Sequence, residues 1–216
     1  MGYFYEHARD PISSFTHWIG MCCAAVGSLL LVLRGIIAGK DPVTILCALV
    51  FGFSLVALYA ASTLYHFYQG SDRTLLRLRK LDHSIIYVLI AGSYTPIIWH
   101  GMEHQHAAAF LAVIWSIAAA GILVKLCWLS APRWLYTSFY LLMGWAIVFD
   151  WNSLGGFEPG CLALVAAGGI AYSIGAVFYL VKRPVISGNF GFHEIFHLFI
   201  LAGSLLHFLA VFFFVL

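Results

Sequence analysis

Residues 43–71 and 104–124 contain no Asp, Glu, Lys or Arg. A helix needs about 20 predominantly apolar residues to cross the hydrocarbon core of a bilayer, and its own backbone bonds satisfy the peptide groups on the way. A soluble chain would have to hide every such run, and little polar surface would remain to face water. The sequence is 62% hydrophobic and 9% charged, whereas a soluble domain carries about a quarter charged residues. The expected fold class is therefore an all-α membrane protein, with a single domain over 1–216.

Charge, Gly and Pro divide the chain into seven expected helices, at 15–38, 43–68, 82–100, 106–129, 133–150, 160–182 and 192–216. GKDP (39–42) and FEPG (157–160) read as turns, and SAPR (130–133) and KRPVISGN (182–189) as breaks. SDRTLLRLRK (71–80) reads as a basic connector with the apolar spacing of a short surface helix. Seven spans also sort the cations. The N-terminus then shares a side with Arg9, Arg73, Arg77, Arg79, Lys80, Lys125, Arg133, Lys182 and Arg183. Of the 11 Lys and Arg residues, that leaves Arg34 and Lys40 for the other side. The positive-inside rule places the N-terminus in the cytoplasm and the C-terminus outside. The opening MGYFYEHARDPISSF has no basic start followed by an apolar core and cleavage site, so it does not read as a signal peptide. The five cysteines lie inside apolar runs without CxxC spacing and read as packing residues.

An ionisable group inside a bilayer costs roughly 2.5–3.5 kcal/mol on insertion scales, so each one needs a reason. Ser62 and His66, four apart near the end of the second span, share a helix face. Asp82 opens the third span, and His193 and His197, again four apart, open the seventh. With seven spans all three places lie at cytoplasmic ends. Two histidines at i, i+4 can reach one ion, and a third from a neighbouring helix leaves an open coordination position. An all-nitrogen set beside a carboxylate and a hydroxyl favours zinc over magnesium or calcium. Water at such a zinc has its pKa lowered towards about 7. Asp82 would accept its proton or orient it, and Ser62 would donate to the water or to a substrate oxygen.

Plainer readings exist for each residue. A lone intramembrane histidine commonly bonds to a neighbouring helix, Ser62 can be packing glue, and Asp82 can cap the third span or pair with Arg79 or Lys80. His17 lies at a plausible depth for a further ligand. His207 is about 21 Å from His193 at about 1.5 Å per helical residue, too far for the same ion. His83 is expected to pack away from Asp82. HEIFH (193–197) matches the HExxH of zinc proteases, where the glutamate is the general base and a third ligand follows. No carboxylate follows His197, so an intramembrane metalloprotease is the weaker reading, and the better partners are upstream at His66 and Asp82.

DPISSFTHWIG (10–20), the SxxxH at 62–66, LDHSIIYVLIAGSYTP (81–96) and GFHEIFHLFILAGSLLHF (191–208) together cover nearly the whole chain. With these motifs in order on seven spans, the chain resembles the hemolysin III family, the bacterial branch of the progestin and adipoQ receptor family. That wider group is similar to the alkaline ceramidases. The resemblance implies zinc ligands at His66, His193 and His197, a water-holding aspartate at Asp82, and the superfamily serine at Ser62. It gives Glu194 no catalytic role, and it implies a multi-pass protein of the bacterial inner membrane.

Three functions are consistent with these residues. One is a zinc-dependent hydrolase of membrane-lipid amide or ester bonds, ceramidase-like, with Asp82 and Ser62 in catalytic roles. Another is a receptor-like or membrane-homeostasis protein with structural zinc. The third is a cytolysin, for which the chain has too few polar residues to sustain a soluble state. The expected partners are bilayer lipid and a lipid substrate, and no nucleic acid.

Overall fold

The helices begin where the sequence supplies a cap or a proline. In the computed structural model, which describes residues 1–216, they are α1 (Gly2–His7), α2 (Pro11–Ile37), α3 (Pro42–Phe67), α4 (Asp72–Gly101), α5 (His104–Cys127), α6 (Arg133–Gly144), α7 (Pro159–Val181) and α8 (Phe192–Ala210). A 3-10 run, Ala146–Gly156, follows α6, and a π turn, Val211–Val215, ends the chain. Asp41 caps α3 by accepting from the N–H groups of Val43 (2.9 Å) and Thr44 (3.1 Å), with Pro42 at the first helical position. Glu103 caps α5 through Gln105 and His106 in the same way, and Pro159 opens α7. Such residues satisfy, or do without, amides that have no partner inside the helix.

Six helices are long and apolar enough to cross a membrane: α2, α3, α4, α5, α7, and α8 with its π turn. Each matches an expected span. The remaining stretch, 133–150, is not one continuous α-helix. α6 has 12 residues, and the backbone then tightens into the 3-10 run, with Asp150 outside helical geometry (φ −111°, ψ 53°). Gly144, Asp150, Asn152, Gly155 and Gly156 all disfavour the α-helix, which explains the break. A second difference lies at 71–80. Instead of a separate surface helix, these residues form the cap and first turns of α4, where the Ser71 hydroxyl accepts from Thr74 N–H (3.4 Å). Asp82 therefore lies inside α4 and caps nothing.

α2 packs on α3, α3 on α4 and α4 on α5; α7 packs on α8, and α8 closes back on α2. α3 and α4 are the inner helices. Glycines let α3 approach both its neighbours closely, since a Cβ on Gly52 of α3 would collide with Ser28 of α2 and one on Gly92 of α4 with Ser54 of α3. Small residues at such contacts let helix backbones approach where no hydrophobic drive separates helix from lipid. α6 touches α4 and α7 only lightly, and this looseness leaves a cavity of about 450 Å³ among α4, α6, the 3-10 run, α7 and α8. The cysteines divide: Cys47 and Cys161 are buried as expected, but Cys22, Cys23 and Cys127 lie on the outer surface of the bundle.

Candidate metal centre

The last turn of α3 carries His66, which is buried. Its ring is held by the segment before α2. Asp10 Oδ2 accepts from His66 Nδ1 at 2.8 Å, and Asp10 N–H donates to the His66 carbonyl at 2.9 Å. With Nδ1 occupied, Nε2 is the free nitrogen of the ring, and it faces His193 Nε2 at 3.2 Å. His193 and His197 stand one turn apart at the start of α8. That start is fixed by Glu194, whose Oε2 accepts from Gly191 N–H (2.8 Å) and whose Oε1 accepts from the Ser13 hydroxyl (2.7 Å). Both oxygens of this carboxylate are thus used in capping α8 and tying it to α2. The HExxH match is a structural device here, and the protease reading loses its general base.

One potential ligand atom from each of His66, His193 and His197 lies within 4.8 Å of the others. Two nitrogens bound at roughly 2.0–2.1 Å to a tetrahedral ion stand about 3.3–3.4 Å apart, close to the 3.2 Å between His66 and His193. His197 Nδ1 is buried without a hydrogen-bond partner. An unsatisfied buried polar atom costs about 1–3 kcal/mol, so the cluster holds hydrogen-bonding capacity that the protein's own groups do not use. The residues present therefore fit a metal ion. His17 is brought to the same place. Its ring stacks on His197, with centroids 3.7 Å apart and planes 8° from parallel, and neither of its nitrogens has a partner.

Asp82 and Ser62 face the large cavity, as do His17, His193 and His197. The five expected residues are thus gathered at one end of the bundle, with His66 behind the cavity wall. Asp82 makes no hydrogen bond to the imidazoles. Its shortest ionic contact is His83 Nδ1 at 3.5 Å, rather than Arg79 or Lys80. His83 does not pack away from the site: it lines the same cavity while its Nδ1–H donates to the Arg79 carbonyl at 2.9 Å. The rest of the lining is mainly apolar and extends to His207, whose Nε2 donates to the Val165 carbonyl at 3.2 Å.

Asp10 is the residue that sequence reasoning missed. Asp10 lies 56 residues from His66, and no spacing rule links an aspartate before a helix to a histidine of another helix. Partial burial pushes its carboxyl up, but the hydrogen bonds from His66 and Arg9 outweigh this and hold it at about 2. The carboxylate is ionised at neutral pH and can pair with both.

The family model described as "Haemolysin-III related" matches residues 5–208. Hemolysin-3 of Bacillus cereus is 33% identical over 210 residues, covering 96% of this chain and 92% of that protein. The Hemolysin-3 homolog of Bacillus subtilis (strain 168) is 33% identical over 207 residues, 95% of this chain and 94% of that protein. The monocyte to macrophage differentiation factor of Homo sapiens is 28% identical over 216 residues, covering 96% and 83%. The expected resemblance is met along almost the full length: the chain belongs to the haemolysin III related family of membrane proteins.

Proposed function

We propose that this protein is a zinc-dependent hydrolase acting on amide or ester bonds of membrane lipids. The observation that carries this reading is the meeting of three imidazoles beside a mainly apolar cavity that also bears Asp82 and Ser62. His66, His193 and His197 would hold the ion. Zinc, when bound, supplies a Lewis acid that polarises a carbonyl and lowers the pKa of water towards about 7. The Asp82 carboxylate would accept the proton of the attacking water and return it to the amine or alcohol that leaves as the acyl bond breaks. The Ser62 hydroxyl donates to the oxygen on which charge develops, in the manner of an oxyanion hole. The apolar walls take the acyl chain and exclude bulk water.

The same proposal takes seven crossings, N-terminus cytoplasmic, in the bacterial inner membrane. α6 with its 12 residues and the 3-10 run with its 11 extend to about 18 and 22 Å at about 1.5 and 2.0 Å per residue. Even kinked, the pair is long enough for a core of about 30 Å. The zinc centre then sits near the cytoplasmic leaflet, where a lipid can enter sideways past the loosely packed α6.

The test is fatty-acid release by purified protein from a panel of amide and ester lipids. Turnover that a chelator abolishes, and that Asp82→Ala abolishes in a zinc-loaded protein, is the expected result. No turnover across the panel overturns the hydrolase reading. If Asp82→Ala leaves both zinc and cellular function intact, the ion is structural. The name Hemolysin-3 on two relatives motivates a cytolytic reading, which dye release from liposomes by purified protein would favour.

A further inference from the structure

Asp10 occupies the N-cap of α2, immediately before Pro11, yet its side chain caps nothing: no amide of the first turn of α2 donates to it. An N-cap Asp usually accepts from the second or third amide of its own helix. Here the carboxylate is turned away, and Oδ2 receives His66 Nδ1 at 2.8 Å and Arg9 through Nε at 3.0 Å and Nη2 at 2.8 Å. We propose that Asp10 is a positioning residue of the metal centre, holding His66 as the Nδ1–H tautomer with Nε2 directed at the ion. The proposal rests on the reading that the three imidazoles bind a metal.

Further features of the same segment support it. The segment bearing Asp10 is fixed to the end of α3 by its backbone, with Asp10 N–H on the His66 carbonyl at 2.9 Å and Arg9 N–H on the Phe67 carbonyl at 3.4 Å. Carbonyls at a helix end have no intrahelical donors, so they are open to this docking. Arg9 holds the carboxylate from the other side while its guanidinium lies 4.5 Å over the Tyr65 ring. The His66 side chain is 4% exposed and the Asp10 side chain 40%, so the bond joins a buried ring to a partly solvated anchor. α1 adds weight to the anchor: Phe4 packs edge-on against Phe67 at 5.6 Å and Phe15 at 5.3 Å. Neither His193 nor His197 has a carboxylate hydrogen-bonded to its ring. Asp10 is therefore the one acid that orients the ring of a proposed ligand and sets its tautomer.

A carboxylate behind a ligating histidine orients the ring and raises its basicity, and its loss typically weakens metal binding by about 10–100-fold. The experiment measures zinc affinity of the full-length protein in detergent by competition with a chromophoric chelator at fixed neutral pH. The variants are Asp10→Ala, Asp10→Asn and Asp10→Glu. Nitrogen-15 imidazole NMR on the metal-free proteins, with the His66 signal assigned from His66→Ala, reports the tautomer. The expected result for Asp10→Ala is a loss of affinity of about 10–100-fold, with the Nδ1–H signature of His66 gone. Asp10→Glu should recover most of both. Asp10→Asn keeps shape and one acceptor without the charge, so it preserves the fold and falls between. Wild-type affinity and an unchanged tautomer in folded Asp10→Ala or Asp10→Asn overturn the positioning role while leaving the metal reading in place. Wild-type protein that binds no zinc removes the centre itself, and the proposal with it, a result distinguishable from the first.

Discussion

Glu194 and His17 separate what a motif suggests from what a side chain does. Glu194 sits in HExxH, but Ser13 and Gly191 occupy both its oxygens. Removing it leaves a buried hydroxyl and an amide without an acceptor, at about 1–3 kcal/mol. We expect Glu194→Ala to lower the thermal stability of the detergent-purified protein by that order while a single zinc remains bound. Loss of zinc-dependent turnover in a stable, zinc-loaded Glu194→Ala protein would return the residue to the chemistry. His17 faces His197 ring to ring at 3.7 Å, and the three imidazoles that could share an ion do not include it. His17→Phe should keep the stack and the metal stoichiometry, read by elemental analysis. Loss of the ion would make His17 a ligand.

At the scale of the helix, the sequence exposed some things and hid others. The pairs Ser62/His66 and His193/His197 are visible because four residues make about one helical turn, and polar groups in apolar runs demand a reason. The break after Gly144 is not visible, because hydropathy over 133–150 registers apolar character and not the backbone's choice between α and 3-10. The extension of α4 back to Ser71 is hidden for the opposite reason: its charges end the apolar window although the helix continues. Asp10 is hidden because its partner His66 lies 56 residues away. Asp41, by contrast, is the cap it looks like. Its own bond from the Thr44 hydroxyl, followed by the amides of Thr44 and Val43, draws its pKa below the ordinary 3.8. A carboxyl lowered in the folded state stabilises the fold above its unfolded pKa, and that contribution disappears as pH falls through the folded value. Asp41→Ala should therefore melt below wild type at neutral pH, with the gap shrinking in scans taken below pH 3.8. A gap independent of pH would contradict the cap.

Across the whole molecule, the proposed ion joins α3 to α8, and through Asp10 it reaches the chain's first residues. A ligand that binds only the folded state stabilises it in proportion to the logarithm of its concentration over Kd, so chelation should lower the melting temperature of the entire bundle. The cation asymmetry gives a separate test: a reporter active only outside the membrane should be silent at the N-terminus and active at the C-terminus, and the reverse pattern would invert the proposed topology. Whether α3 and α8 share one ion is decided by elemental analysis of the purified wild type beside His66→Ala and His193→Ala. A shared site predicts a single zinc per wild-type chain and its loss in both variants, although the two histidines lie 127 residues apart in the sequence. Metal-free wild type, or full zinc retained in both variants, would contradict it.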